Sequence, residues 1–370
     1  MERPKNTKTT ISHVEREGAV GWDDLRRDKE EPADWDSLIR GEEGATDWDA
    51  LRIDVGGNGD SGQDSFQQTW EELDRMGQEA NMPDKFKRMI EASREMTEQE
   101  KKMFSLAQEG LQQEREKLGL DTELHLPNVY IVPQEAWEQH YGDNGTGGFS
   151  AQFQNAIFIQ DNPTRSKAQM LSHLYHELGH ANDANKVIVS SEGKLVDSTS
   201  GLRMTSEGDG GQQLMWAVNE AMEEERAKRF VQEQIRTNPE FAEERAALDK
   251  YAEHFMDADD KVSARWDGDK VWSLEFARAE ERMALERMIT YMAGREGSTE
   301  EIFEVFTRAQ ITGDWEMMKS LLEAALGEGA TVELAKDSQT TQGFVGFVEN
   351  LVKTRMDSLL NDFFDDDEAA

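Results

Sequence analysis

Leu174-Tyr175-His176-Glu177-Leu178-Gly179-His180 sets two imidazoles four residues apart with a carboxylate beside the first. On a helix, positions four apart lie within about 40° of each other and about 6 Å along the axis, so both rings can close on one ion. The segment sits where a helix is expected. Ser166-Lys167-Ala168-Gln169 reads as a capping box opening it, and the apolar run Ala156-Ile157-Phe158-Ile159 just before reads as a strand closed by Asp161-Asn162-Pro163. Glu177 projects beside the ion rather than onto it, where it can take a proton from water and pass it to a leaving amine. With seven histidines in 370 residues, a chance match has a probability on the order of 0.02, which favours a metal site over an accidental pair of helical histidines.

The chain has no cysteine, so thiolate zinc sites, disulfides and cysteine nucleophiles are all excluded, and the metal expected here is Zn2+ held by histidine and carboxylate. A catalytic zinc takes three protein ligands and a water. No other histidine has a partner spacing, so the third ligand is sought among downstream carboxylates. Trp216-Ala217-Val218-Asn219-Glu220-Ala221-Met222-Glu223-Glu224 offers it: Leu214, Met215, Val218, Ala221 and Met222 mark a buried helix face with Glu220 next to it. Glu224, four residues on, is placed to accept the Nδ1 proton of a ligand histidine and fix its tautomer. His173, three residues before His176, could line the cleft.

His176-Glu177-Leu178-Gly179-His180 followed by Asn219-Glu220-Ala221-Met222-Glu223-Glu224 resembles the gluzincin branch of the zincin metallopeptidases, the thermolysin-like group. The resemblance covers roughly residues 126 to 232. It implies Glu220 as third zinc ligand, Glu224 and Asn219 as supporting residues, Glu177 as general base, and a peptide or protein as substrate. It also implies an edge strand at Asn155-Ala156-Ile157-Phe158 that pairs with substrate backbone, although Ile157 stands where an aromatic is common. The metzincin pattern wants Gly and His where this chain has Asp183 and Lys186. For the oxyanion, His254, Tyr251 and Tyr291 are candidates by residue type alone. The implied fold class is α+β, a small zincin-like domain embedded in a largely helical chain. The alternative is a non-catalytic interaction protein with a structural or vestigial zinc site.

Around this centre four stretches are expected. Residues 1–64 are an acidic disordered arm in which Trp22-Asp23-Asp24-Leu25, Trp35-Asp36-Ser37-Leu38 and Trp48-Asp49-Ala50-Leu51 recur every thirteen residues, turns or docking motifs for a protein partner. Residues 65–120 read as amphipathic helices with Phe66, Trp70, Leu73, Met76, Phe86, Met89, Met103 and Leu111 on the packed side, and Thr97 as a cap. Residues 121–237 form the core, with strands at Val129–Val132, within Gly147–Phe153 and at Ala156–Ile159, a hairpin near Gln154-Asn155, and a glycine-marked loop (Gly201, Gly208, Gly210, Gly211) between His180 and Glu220. Residues 238–370 are helical in period, ending in an acidic tail. The balance of 41 basic against 77 acidic side chains, net −36, argues against nucleic acid and anionic membrane as partners, and points to steering of basic substrates. No apolar leader or membrane-length run is seen, so a soluble, cytoplasmic protein is expected.

Overall fold

The computed structural model describes residues 66–67, 83–120, 123–142, 147–151, 155–189, 195–206, 212–268 and 270–368. The acidic arm with its Trp-Asp-x-Leu repeats, and Trp70, Leu73 and Met76, lie outside them. The fold is mixed α and β.

A three-stranded sheet is the frame for everything else. Its strands are β2 (Asn128–Pro133), β3 (Gly148–Ala151) and β4 (Ala156–Asp161). The spatial order is β2-β4-β3, with β4 parallel to β2 and antiparallel to β3. Alternation along β4 serves both faces. Ile157 and Ile159 turn to one core with Ile131, while Ala156 and Phe158 turn to another with Val132 and Ala151. The first face is covered by α2 (Glu98–Lys117), α4 (Lys167–Asn182) and α5 (Trp216–Thr237), through Met103, Leu111, Leu171, Leu174, Leu178 and Val231. The second is covered by α1 (Asp84–Ala92) and α3 (Gln134–His140), where Phe86, Phe149 and Phe158 form a stack of rings with centroids 5.0–5.6 Å apart. Burying one such Phe stabilises by about 2–3 kcal/mol.

Local signals set the ends of two of these helices. Thr97 and Glu100 form a reciprocal capping box at α2, and Ser166 and Gln169 do so at α4. At the start of α1, Pro83 stands at the N-cap position and Asp84 lies in the first turn. Glu100 has a second task. Arg94 donates to both of its oxygens and to both oxygens of Asp161, each at 2.8 Å, tying the start of α2 to the end of β4. Burial pushes the Glu100 carboxyl up, but the hydrogen bonds from Arg94 and Thr97 outweigh it and hold it below its ordinary value. A depressed pKa contributes stability that is present above the unfolded value, about 4.3, and lost as pH falls through the folded one. Glu100→Gln is therefore expected to cost about 1 kcal/mol at pH 7, at the low end for charge-assisted bonds because the Arg94 head is a third exposed. The difference should shrink below about pH 4. Urea melts at pH 7 and 3.5 check this; equal losses at both would refute it.

Three expectations are corrected. Phe66 is not helical: β1 (Phe66–Gln67) is an edge strand of a second sheet, paired with β5 (Asn185–Val189). The glycine-marked loop is instead an antiparallel meander, β5, β6 (Leu195–Ser200), β7 (Arg203–Ser206) and β8 (Gln212–Leu214), in the order β1-β5-β6-β7-β8. Gly201, with φ 59°, makes its tight β6–β7 turn. The stretch after 238 is not wholly helical. Between α6 (Ala242–Ala252) and α7 (Ala279–Glu296), β9 (Lys261–Asp267) and β10 (Lys270–Glu275) form a hairpin around Asp267-Gly268, a turn dipeptide flanked by valine and tryptophan at strand spacing.

Beyond the hairpin, α7, α8 (Thr299–Thr312), α9 (Glu316–Leu326), α10 (Ala330–Asp337) and α11 (Thr341–Glu368) follow, with Gly297, Gly313 and Gly327 at the ends of the first three. This layer holds the start of α5. Met215, itself left-handed at φ 59°, donates its N–H to Ala335 O at 3.1 Å, and Ala217 donates to Ser338 O at 2.8 Å. Carbonyls at the end of α10 thus satisfy N–H groups that the first turn of α5 would otherwise leave without partners. No helix among the described residues is long and apolar enough to cross a membrane.

Candidate metal centre and its cleft

Helices α4 and α5 meet at Gly179. A Cβ at that position would stand 2.1 Å from Glu223 Oε2, so glycine is required for the two helices to come this close. What crowds Gly179 is the Glu223 carboxylate. The close approach sets His176 and His180 of α4 opposite Glu220 of α5. Their Nε2 atoms lie 3.1 Å apart with the rings perpendicular, and the Glu220 oxygens lie 3.8 and 3.6 Å from them. Donors of a tetrahedral zinc site with bonds of about 2.1 Å stand about 3.4 Å apart. Two imidazoles and one carboxylate at these spacings could hold a divalent metal ion.

Behind the first ring, Glu224 Oε2 stands 3.0 Å from His176 Nδ1, off the axis of the ring N–H. Glu224 is itself fixed by the Ala277 N–H, which donates to Oε1 at 2.8 Å. Burial opposes charge on His176, but Glu224, with Glu177 and Glu220, more than offsets it and lifts its pKa to about 9. Burial raises Glu177, against the pull of both histidines. Behind the second ring, His180 Nδ1 faces Asp183 Oδ2 at 3.9 Å. Asp183, Glu223 and His180 also lie within metal-binding reach of one another. Arg226 already supplies this group with a cation, its guanidinium lying on Glu223 Oε1 and 3.4 Å from Asp183 Oδ1, so the carboxylates belong to a buried ion network.

The remaining assigned residues divide. Asn219 is fully buried and accepts the Leu202 N–H at 2.7 Å, so it holds the β6–β7 turn. His173 lines the cleft, its ring against Gly147, where a Cβ would come within 2.7 Å of it. Burial and then Arg165 push its pKa down to about 3, which keeps the ring neutral. Asn155 and Ala156 do not line the cleft. Asn155 is a left-handed turn residue at φ 47° bonded to His125, and Ala156 is 2% exposed in the inner core. The expected edge strand is displaced accordingly: β4 is the central strand, and the strand that runs past the site is β3. Gly148 allows this passage, since a Cβ there would meet Ile159 at 2.8 Å and Glu177 Cγ at 3.4 Å. The oxyanion candidates also lie elsewhere. Tyr251 donates to Asp257, His254 packs beside Trp266, Arg295 lies over the Tyr291 ring, and none lines the cleft.

The cleft has a volume of about 550 Å³. His176, Glu177, His180 and Glu220 line it, and Gly147, Gly148, Phe149 and Ser150 form one wall. Tyr141, Trp216, Arg203 and Arg278 complete it, and sequence reasoning missed all four. Arg278 donates to Glu220 Oε2 at 3.1 Å and stands 4.9 Å over the Trp216 ring. It follows the β9–β10 hairpin in a left-handed conformation, φ 54°, so its position depends on a hairpin that a helical reading of that stretch removes. Comparison with family models, with curated proteins and with solved structures returns no match for the chain.

Proposed function

We propose that the protein is a zinc-dependent metallopeptidase of gluzincin type, with His176, His180 and Glu220 as metal ligands and Glu177 as general base. The observation that carries this reading is the convergence of two imidazole Nε2 atoms and one carboxylate, 3.1–3.8 Å apart, at the floor of a cleft that Glu177 also lines. Three protein donors facing open space fit a catalytic site; a structural zinc is closed by four. When bound, zinc supplies Lewis acidity and lowers the pKa of a coordinated water. Glu177 then has the task of accepting the water's proton at its carboxylate and returning it to the departing amine. Glu224 favours the His176 tautomer that carries its proton on Nδ1 and leaves Nε2 free for the ligand role. The side of β3 that pairs with no other strand among the described residues offers backbone groups to an extended peptide, which suits strand addition.

Elemental analysis of untagged protein tests the assignment. Wild type is expected to hold about one zinc per chain and Glu220→Gln to lose most of it, because a neutral amide is a poor replacement for the one anionic ligand. Wild type that takes up no zinc even after it is added back would overturn the proposal.

A further inference from the structure

The β5–β8 meander between the two ligand-bearing helices places one guanidinium in the cleft. Its β6–β7 turn is clamped to both helices. Gly201 donates its N–H to Ala184 O at 2.9 Å just past the end of α4, and Leu202 donates to Asn219 Oδ1, next to Glu220 on α5. The turn is so tightly seated that a Cβ on Gly201 would lie 2.5 Å from Asn219 Oδ1 and 2.7 Å from Asp183 Oδ2. Arg203, the first residue of β7, leaves this turn and lines the cleft, partly buried.

Arg203 makes no hydrogen bond or ion pair among the described residues. Its influence is felt at longer range, where it helps to hold the Glu220 carboxyl low. Taking a guanidinium partly out of water without a partner is costly, and a chain with 77 acidic residues has no shortage of partners to offer. Arg278, the other cleft arginine, differs: Nη2 is on Glu220, Nη1 is 3.7 Å from Glu281, and the plane lies over Trp216. Among the described residues of the cleft wall, Arg203 is the guanidinium with no hydrogen bond or ion pair, and a planar fork is matched by a carboxylate.

We propose, resting on the peptidase reading, that the cleft selects peptides bearing a carboxylate near the bond to be cut, and that Arg203 is the residue that recognises it. This reverses the expectation drawn from net charge. A chain at −36 steers cations toward its surface, but the cleft wall also carries two guanidiniums beside the carboxylates of Glu177, Glu220 and Glu224, and Arg278 is engaged by Glu220 while Arg203 is set apart. The carboxylate has two sources, an Asp or Glu side chain or the peptide's own C-terminus, and the fork accepts either.

Binding, rather than cleavage, tests this independently of the chemistry. Full-length Glu177→Gln protein with added zinc is offered three hexapeptide pools whose remaining positions carry neutral residues. One has Glu fixed at the third position and an amidated end, one has Gln there and an amidated end, and one has Gln with a free C-terminus. Retention of the Glu pool about tenfold over the amidated Gln pool is expected, the worth of one charge-assisted fork. Preference for the free-acid pool instead would also support the proposal and assign the C-terminus as the source. Arg203→Met in the same background should erase the difference, Arg203→Lys restore part of it, and Arg203→Glu transfer preference to a matching Lys pool. Equal retention of all three pools, retention of none, or a preference unchanged in Arg203→Met would each overturn the proposal. The peptidase reading fails separately, if zinc-loaded protein with Glu177 intact leaves the retained pool uncut.

Discussion

Arg226→Leu is expected to lower the unfolding free energy by about 3–5 kcal/mol, the cost of leaving buried charges without their partner. The Arg226 side chain is 2% exposed and lies where α2, α4 and α5 meet. Its Nη2 donates to Glu114 Oε2 at 2.6 Å, and Nη1 is bonded to Glu223 and stands 3.4 Å from both Asp183 Oδ1 and Gln310 Oε1. Without the guanidinium, three carboxylates face each other in the interior. Burial raises Glu223 well above its ordinary value even with Arg226 in place, and Asp183 adds to that by like charge and hydrogen bonding. A raised pKa means the folded state holds a proton that the unfolded state releases near pH 4.3, so this group's stabilisation is complete below about that pH and fades as pH rises toward the folded value. The variant should therefore lose most at neutral and alkaline pH and least near pH 4. Denaturant melts across that range check the sign. Should Arg226→Leu fail to fold, Arg226→Lys keeps the charge but not the fork and is expected to lose part of the stability. A loss below 1 kcal/mol in both would show that the network contributes little.

The same network shows which parts of this molecule a sequence can disclose. Capping at Thr97 and Ser166 is settled within four residues, and both capping boxes form where the spacing says. The His-Glu-x-x-His stretch is equally local, since one helical turn fixes how its side chains diverge. Arg226 and Glu223, by contrast, look like ordinary members of a charged helix until α4 is laid against α5 and Gly179 lets Glu223 in. Arg203 is hidden for the same reason: glycines between 201 and 211 suggest a loop, and only Asp183, well before Gly201 in sequence, and Asn219, 17 residues after Leu202, convert Gly201 into a clamped hairpin turn. Strand identity is tertiary in origin. Phe66 fits an amphipathic helix by period and becomes a strand because β5 offers it an edge. The displaced edge strand teaches a further point. Both β3 and β4 were legible as strands, but which of them lies outermost is decided by the parallel pairing of β4 with β2, a contact between residues nearly thirty positions apart.

Glu177→Gln is expected to reduce peptide hydrolysis by about 10²–10⁴-fold, the usual weight of a general base, while zinc content stays at the wild-type level. The two halves of that expectation rest on different geometry. Glu177 lies between His176 and His180 in sequence, its carboxylate makes no hydrogen bond among the described residues, and at 5% exposure it lines the cleft. Gln keeps the shape and removes the ability to accept and return a proton. The proposed ligands should be untouched, since the polar groups beside His176, His180 and Glu220 are Glu224, Asp183 and Arg278, and Glu177 bonds to none of the three. Glu220→Gln provides the contrast, with metal and activity lost together. If Glu177→Gln lost its zinc as readily as Glu220→Gln, the carboxylate would have to be counted among the ligands and the site would close on four protein donors, the pattern of a structural metal. If it kept both zinc and full activity, Glu177 would not be the general base, and His173 could not readily replace it, since burial and Arg165 make that ring a weak base.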